Sequence, residues 1–142
     1  MREILYRGQT RRKGEKVRLD GTPVDGNWVY GGVAQFNEER AIIYQTEPEF
    51  HKFPVYADTV GQYTGLTDNN GERIWEGDIV RCKQERGNEG ICVVRWFNGA
   101  FVACPISGNL LEMTLHDYWY NDYDLIEIIG NETDNPELMR GE

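Results

Sequence analysis

The chain is 142 residues long, which is enough for one ordinary domain or two small ones and needs no metal or disulfide to hold a core. Hydrophobic residues make up 39% of it and charged residues 27%, a balance that is typical of globular proteins and excludes a disordered chain. The net charge of -9 argues against a generic nucleic-acid binder, because a phosphate backbone would be repelled at long range.

Short strands separated by turns are predicted in the N-terminal half. Ile4 to Arg7 is a possible first strand, and a basic loop follows it. Trp28 to Val33 and Ala41 to Tyr44 are rich in β-branched and aromatic residues, and the polar stretch between them predicts a hairpin. Glu47 to Pro54 contains two prolines, and we predict a loop there that leads into the next strand.

The clearest hairpin is predicted in the C-terminal half. Ile91 to Phe97 and Ala100 to Cys104 are apolar segments joined by Asn98-Gly99. Asn-Gly readily adopts the positive φ angles of a two-residue type I′ turn, whose twist matches that of the flanking strands. Leu125 to Ile129 predicts a further strand.

These elements predict a mainly β protein, or β-rich α+β, in two parts. We place a β-rich subdomain at residues 1–66 and a small SH3-like barrel at residues 67–142. The barrel would contain the C-terminal strands together with Ile79 to Cys82 and, as a possible fifth strand, Gly61 to Thr64. A short helix would follow at Asn135-Pro136, because asparagine caps helices and proline suits the first helical position.

The segment from Asp58 to Val80, called the signature segment below, carries glycines where the chain needs tight turns. Gly71 follows an asparagine, and Gly77 precedes the aspartate that begins a new strand. We interpret this segment as structural and expect its turn residues to matter for folding. Its marker residues are Gly61, Gln62, Tyr63, Thr64, Gly65, Asn70, Gly71, Glu76, Gly77 and Asp78.

Two chemical interpretations of the signature segment compete with the structural one. Its acidic turn imitates the start of a calcium loop, but Arg73 stands where such a loop has glycine and Ile79 where it has glutamate. An EF-hand is therefore excluded. Glu76 with Asp78, or Asp68 with Glu76, could act as general acid and base in a hydrolysis. No nucleophile or oxyanion motif accompanies them, so we predict a protein that is not an enzyme and takes no cofactor.

The signature segment also resembles a known family. The residues that resemble the YopX family of phage and prophage proteins are Thr59 to Leu66, Asp68, Asn70-Gly71, Ile74 and Glu76 to Val80. The similarity extends to Trp28 to Gly31, to Ile128 to Asn131 and to Asn135 to Leu138. The resemblance implies a two-part β-rich fold with an SH3-like C-terminal half, in a bacterial cytoplasm. It implies no activity, so there are no catalytic residues to carry over.

Charge is distributed unevenly along the chain. The first 18 residues contain seven basic and two acidic side chains, whereas nine acids and a single arginine follow from Asn109 onward. Opposed ends of this kind could meet within one molecule or between subunits, while the simpler interpretation is two charged segments that are each solvated. The candidate interaction residues are the basic Arg7, Arg11, Arg12, Lys13 and Lys16 and the aromatic Tyr118, Trp119 and Tyr120.

Cysteine and histidine suggest no site. Cys82, Cys92 and Cys104 are odd in number, lack a Cys-x-x-Cys spacing and lie in apolar stretches, which predicts buried thiols and no metal centre. His51 and His116 lie in no catalytic motif, so we expect them to be ordinary surface or packing residues.

Three functions remain open. The favoured one is a protein-interaction or accessory module that self-associates through basic N-terminal and acidic C-terminal surfaces, or binds another phage or host protein. The second is a nucleic-acid-associated regulator that places the basic residues on phosphates and aromatic side chains on bases. The third is a hydrolase that uses clustered carboxylates. The sequence contains neither a signal-peptide core nor a membrane-length apolar run, so we expect a cytoplasmic protein.

Overall fold

The computed structural model of the chain describes residues 4–16, 19–20, 26–46, 48–84, 87–116 and 125–140. The chain divides into two compact units, Met1–Tyr63 and Thr64–Glu142, shortly before the boundary that we predicted after residue 66. Strands dominate both units, which confirms the mainly β class. The described residues include no helix that is long and apolar enough to span a membrane.

The first unit contains two antiparallel strand arrangements. Its described strands are β1 (Tyr6–Gln9), β2 (Trp28–Gly31), β3 (Val33–Phe36), β4 (Arg40–Gln45), β5 (His51–Tyr56) and the start of β6 (Gly61–Thr67). β1 pairs with β2 on one side and with the first residues of β6 on the other. β3, β4 and β5 form a separate sheet in that order, so β3 and β5 are its edges.

The chain changes sheet at Gly32, and the sequence prediction missed this change. We predicted a hairpin between Trp28 to Val33 and β4, but β2 ends at Gly31 and pairs with β1, while β3 takes the place beside β4. The physical reason lies at Gly31, where a Cβ atom would collide with the backbone carbonyl oxygen of Tyr44. β2 therefore crosses over β4 at a distance that only glycine allows, and it does not lie beside β4 in one sheet.

Two predicted strand boundaries in the first unit are also wrong. The first strand begins at Tyr6 and not at Ile4. β5 begins at His51, within the stretch that we predicted to be a loop because of its prolines. Pro54 is tolerated there because β5 is an edge strand. The N–H of Ala57 donates to the carbonyl of Glu39, so Val55 is the next hydrogen-bonded position and the nitrogen of Pro54 points to the open side.

Alternate positions of β4 and β5 form the core of the first unit. Ala41, Ile43 and Val55 are fully buried, as the period of two in a strand with one covered face requires. Partly buried hydrophobic residues from the surrounding elements complete this cluster: Tyr6, Val29, Ala34, Phe53, Ala57 and Val60.

The second unit is built around a five-stranded antiparallel sheet. Its described strands are β7 (Arg73–Trp75), β8 (Asp78–Lys83), β9 (Glu89–Phe97), β10 (Ala100–Gly108), β11 (Met113–Thr114) and β12 (Leu125–Asn131). The order in the sheet is β11-β10-β9-β8-β12. The predicted β9–β10 hairpin is confirmed, since Phe97 pairs with Ala100 and the turn residues Asn98 and Gly99 have φ angles of 50° and 85°.

The described residues do not close this sheet into a barrel, because β11 and β12 remain its two edges. The fifth strand is β11, whereas the predicted fifth strand, Gly61 to Thr64, belongs to β6 and starts beside β1. β12 continues to Asn131, past an irregularity between Ile128 and Gly130. The predicted terminal helix is present as a 3-10 helix over Pro136–Arg140.

Nine buried residues form the core of the second unit and come mainly from the central strands. They are Ile74, Val80, Cys82, Cys92, Val94, Phe101, Ala103, Leu115 and Ile126. A fully buried aliphatic side chain of this kind contributes about 1.5–3 kcal/mol relative to an exposed one. The central strands β8, β9 and β10 thus carry most of the hydrophobic stabilisation of this unit.

We predict that Gly77→Ala lowers the free energy of unfolding by about 1–2 kcal/mol, the cost of placing a side chain in the left-handed region. Gly77 has a φ of 92°, while a Cβ atom there would make only ordinary contacts with Glu132, so the cost is one of backbone conformation. The matched control is Gly32→Ala, where a Cβ atom has space and φ lies outside the left-handed region. Urea unfolding measures both, and equal stabilities of the two variants would contradict the prediction.

Candidate functional site

The marker residues of the signature segment lie on one strand and in two turns. β6 carries the first five of them, the turn before β7 carries the next two, the turn between β7 and β8 carries Glu76 and Gly77, and Asp78 begins β8. In chain order they are Gly61, Gln62, Tyr63, Thr64 and Gly65, then Asn70 and Gly71, then Glu76, Gly77 and Asp78. Gly71 and Gly77 both have positive φ angles, in agreement with the predicted tight turns.

Asp68 organises the first of these turns. Its Oδ1 accepts hydrogen bonds from the backbone N–H groups of Asn70 and Glu72, each at 2.9 Å. Its Oδ2 accepts the backbone N–H of Ile128 on β12 at 3.0 Å. The side chain is buried, so these three donors replace the water that a carboxylate would otherwise bind. Asp68 is thus committed to holding the backbone.

Asn69 extends the same contact along β12. Its backbone N–H donates to the carbonyl oxygen of Ile126 at 3.0 Å, and its side-chain Oδ1 accepts the N–H of Ile126 in return. Together with the bond from Ile128 to Asp68, these contacts satisfy the outer backbone groups of β12 as a neighbouring strand would. The turn therefore covers an edge of the sheet, and no local sequence pattern indicated this role of Asn69.

Asp78 and Gly77 fix the second turn. Asp78 is only 2% exposed, and its Oδ2 accepts the backbone N–H of Trp75 at 2.7 Å. The N–H of Gly77 donates to the carbonyl of Val94 at 2.9 Å, and its carbonyl accepts the N–H of Glu132 at 2.9 Å. The two aspartates that we considered for acid–base chemistry, Asp68 and Asp78, are both engaged by backbone donors.

Thr64 connects β6 to β7. Its buried hydroxyl donates to the carbonyl oxygen of Ile74 at 2.7 Å and accepts the N–H of Leu66 at 3.2 Å. Its role is therefore the same as that of the aspartates, because it binds backbone groups of the second unit. Three side chains of the signature segment, Thr64, Asp68 and Asp78, thus form hydrogen bonds with backbone groups of the second unit.

The basic segment, residues 7–16, packs largely on its own unit. Arg7 is only 7% exposed, and its guanidinium lies 4.3 Å from the ring centroid of Trp28. Arg12 lies over the ring of Tyr56 at 4.8 Å, and Arg40 lies over the same ring at 4.2 Å. Cation–π contacts of this kind stabilise a desolvated guanidinium, so Arg7 and Arg12 already have partners within the first unit.

A cavity of about 460 Å³ opens beside the basic segment. The residues that line it are Arg12, Lys13, Glu38, Glu39, Tyr56, Ala57 and Asp58. The three carboxylates offset the two basic groups, so this cavity attracts a nucleic-acid phosphate less than the two basic groups alone would. Of the other candidate bases, Lys16 is exposed and Arg11 is half-buried.

The remaining sequence candidates are three aromatic residues and two histidines. Tyr118, Trp119 and Tyr120 lie outside the described residues. His116 is exposed, and the ring of His51 stacks on Phe53 with centroids 5.6 Å apart.

All three cysteines lie on strands of the second unit, and the prediction of buried thiols is confirmed for Cys82 and Cys92 but not for Cys104. Cys82 and Cys92 are fully buried in the core, while Cys104 is half-buried. The hydrogen bond with Cys82, together with burial, raises the pKa of Cys92 far above the ordinary thiol value, and burial raises the pKa of Cys104. In the described ranges, no three His, Cys, Asp or Glu side chains gather into a group that could hold a metal ion.

We predict that Asp68→Ala lowers the free energy of unfolding of the second unit by about 2–3 kcal/mol, because three backbone donors lose their acceptor and each costs about 1 kcal/mol. Amide hydrogen exchange at Ile128 should accelerate in the same variant, since its N–H loses the carboxylate. Urea unfolding and exchange mass spectrometry measure the two effects.

The control for this prediction is Glu72→Ala. Glu72 has an exposed side chain in the same turn, and its backbone N–H still donates to Asp68 after the substitution. We expect a change within about 0.5 kcal/mol, as for other surface substitutions. A loss as large as that of Asp68→Ala would show that the turn and not the carboxylate carries the stability.

Alkylation of the native protein should separate the three thiols. We expect iodoacetamide to modify Cys104 first and slowly, with a rate that keeps rising above pH 8.5, the approximate pKa of an ordinary thiol, because the raised pKa leaves little thiolate below it. Cys82 and Cys92 should react only in denaturant. Peptide mass spectrometry gives the order, and rapid native labelling of Cys92 would contradict it.

The chain is similar to proteins already known. The model of the YopX protein family matches residues 22–140. The crystal structure of protein EF1440 from Enterococcus faecalis is similar at 20% identity with a TM-score of 0.45, and the match covers 94% of this chain and 97% of that chain. No curated protein matches the sequence. Since the family model spans most of the chain and all of the signature segment, the predicted kinship is confirmed and the chain belongs to the YopX family.

Proposed function

We propose that this YopX protein is a non-catalytic accessory module, encoded by a phage or prophage, that binds proteins, including further copies of itself, in the bacterial cytoplasm. Family membership supports the phage setting, since the resemblance stated above is to phage and prophage proteins. The proposal assigns the protein a binding surface in place of an active site.

The observation that carries the proposal is the exposure of large aromatic side chains in both units. Phe36 and Phe50 in the first unit, and Trp96 and Phe97 at the β9–β10 hairpin in the second, are each half or more exposed. Aromatic residues are enriched at protein interfaces because they bury a large apolar area at a small entropic cost. Each unit therefore offers anchors for a protein partner.

The structural role of Asp68 and Asp78 supports a protein without catalytic activity. A general acid or base needs a carboxyl group that can reach a substrate. Asp68 and Asp78 are buried, and their oxygens accept backbone N–H groups. Mutating either would therefore change folding before it changed any chemistry.

A nucleic-acid function receives less support. Arg7 and Arg12, which would bind phosphates, lie over aromatic rings of the first unit, and Arg12 shares its cavity with three acids. Such a site offers a phosphate less positive potential than the linear sequence suggests. The basic segment serves better as part of the surface that surrounds Tyr56.

The proposal keeps an SH3-like barrel as the architecture of the second unit. Two features support it: β8, β9 and β10 follow one another as antiparallel neighbours, and β12 returns to β8. The core that these strands enclose also contains Ile74 and Leu115 from outside the central strands. Closure would require β11 and β12 to approach each other.

Self-association is tested by light scattering coupled to size-exclusion chromatography over a range of protein concentrations, at low and at high salt. We expect a mass of at least two chains that increases with concentration. An interface made by the charged segments would dissociate as salt screens it, whereas an apolar or backbone interface would persist. A single-chain mass at every concentration and salt would contradict self-association.

A further inference from the structure

Among the residues that the structure describes, the outer edge of β3 pairs with no strand and lacks the usual protection. Exposed edges are normally blunted by charged residues, by proline or by a covering segment, because their free backbone groups pair with other chains. The four residues of β3 are Val33, Ala34, Gln35 and Phe36, none of which is charged. Val33 is 54% exposed and Phe36 is 60% exposed. This edge can accept another strand.

The hairpin register identifies the backbone groups that face outward. The N–H of Asn37 donates to the carbonyl of Arg40 at 2.8 Å, so this pair closes the β3–β4 turn. Hydrogen-bonded pairs alternate along an antiparallel ladder, which turns the groups of Val33 and Gln35 toward β4. The N–H and C=O groups of Ala34 and Phe36 therefore point away from the sheet.

Two other edges among the described strands are protected. β5, the opposite edge of the same sheet, contains Lys52 and Pro54. The edge of β12 is covered by Asp68 and Asn69. Within this one sheet, β5 is protected by a charged residue and a proline, whereas β3 is not. We expect this difference if β3 is the edge that binds another strand.

We propose that β3 pairs antiparallel with β3 of a second copy of this chain, centred on Gln35, to join two three-stranded sheets into one. The inference rests on the self-association proposed above and assigns a surface to it. A two-fold axis perpendicular to the sheet relates the two strands, which makes the interface isologous.

Centring on Gln35 uses every outward backbone group of the strand. Ala34 of each copy lies opposite Phe36 of the other, and each such pair exchanges two hydrogen bonds. The bulky, exposed Phe36 then packs over the small Ala34 of the second copy, so a large side chain meets a small one on the same face. Glu38 falls opposite Gly32 of the second copy, and this register therefore places no like charges opposite each other.

Gln35 is positioned for the centre of this pairing. The hydroxyl of Tyr44 donates to Oε1 of Gln35 at 2.7 Å, which holds the amide over the outer face of the sheet. The amide NH2 group can then donate to Gln35 of the second copy, which lies directly opposite across the two-fold axis. A charged residue here would instead face its own copy and repel it, so an amide suits a self-paired position.

Cysteine cross-linking tests the register. Across the two-fold axis the Cα atoms of Gln35 form a non-hydrogen-bonded pair about 4.5 Å apart, within the range that a disulfide spans. Under mild oxidation, Gln35→Cys should give cross-linked dimer at least about tenfold faster than Val33→Cys, whose two copies lie ~13 Å apart in this register. The unsubstituted chain is the background control for its native thiols. Equal rates for the two variants would overturn the proposal.

Light scattering on a charged variant tests the surface independently. Phe36→Lys should raise the dimer dissociation constant at least about tenfold, because an edge lysine disfavours pairing with a second strand. The side chain is mostly exposed, so the circular dichroism spectrum should remain that of the folded protein. Leu111→Lys, at a residue that is 73% exposed in the second unit, is the matched control and should remain dimeric.

The outcomes separate this inference from the proposed function. A dimer that persists in Phe36→Lys, with slow cross-linking of Gln35→Cys, overturns the β3 interface and leaves self-association standing. A single-chain mass of the unsubstituted protein at every concentration overturns both. Loss of the dimer in Phe36→Lys alone, together with rapid cross-linking at Gln35→Cys, supports both.

Discussion

One buried carboxylate, that of Asp68, holds the C-terminal strand of the second unit in place. It joins two N–H groups of its own turn to the N–H of Ile128, and Asn69 adds two backbone contacts with Ile126. β12 is consequently bonded on one side by β8 and on the other by this turn. A polar group that satisfies several backbone donors at once is costly to replace, because an apolar substitute leaves each donor buried and unpaired. The position of β12, and with it the side of the core that Ile126 fills, depends on Asp68.

The uneven charge of the chain is resolved locally in the first unit. The basic segment lies against Tyr56, and acids from the β3–β4 turn and from the 3-10 helix line the same cavity. The sum of charges along a stretch of sequence therefore overstates the positive potential that the folded surface offers. This is why neutral backbone groups and aromatic side chains are a better basis for the proposed association than opposed charged ends.

Local turn chemistry was readable from the sequence, whereas sheet membership was not. Asn98-Gly99 and Gly77 identify their turns because a positive φ angle restricts which residue type can occupy that same position. The separation of β2 from β3 depends on a close approach between Gly31 and β4, which no local pattern encodes. Asp68 looked like a candidate acid because Ile128, one of the residues that donate to it, is distant in the sequence. Its structural role becomes visible only when folding brings the two residues together. β3 escaped notice because its short, mixed sequence has no strong strand propensity of its own.

The covered edge of β12 also governs when the second unit can form during synthesis. The residues that bond Ile126 and Ile128 lie 57 and 60 positions earlier in the chain. During synthesis, the turn at Asp68 and the strand β8 emerge from the ribosome well before β12. Until β12 emerges, the groups that will bond to it remain hydrated. The sheet β3-β4-β5 needs only neighbouring residues and can assemble on the nascent chain. β12 is thus the last strand of the second unit to be made, and the sheet β3-β4-β5 of the first unit can form while the second unit is still incomplete.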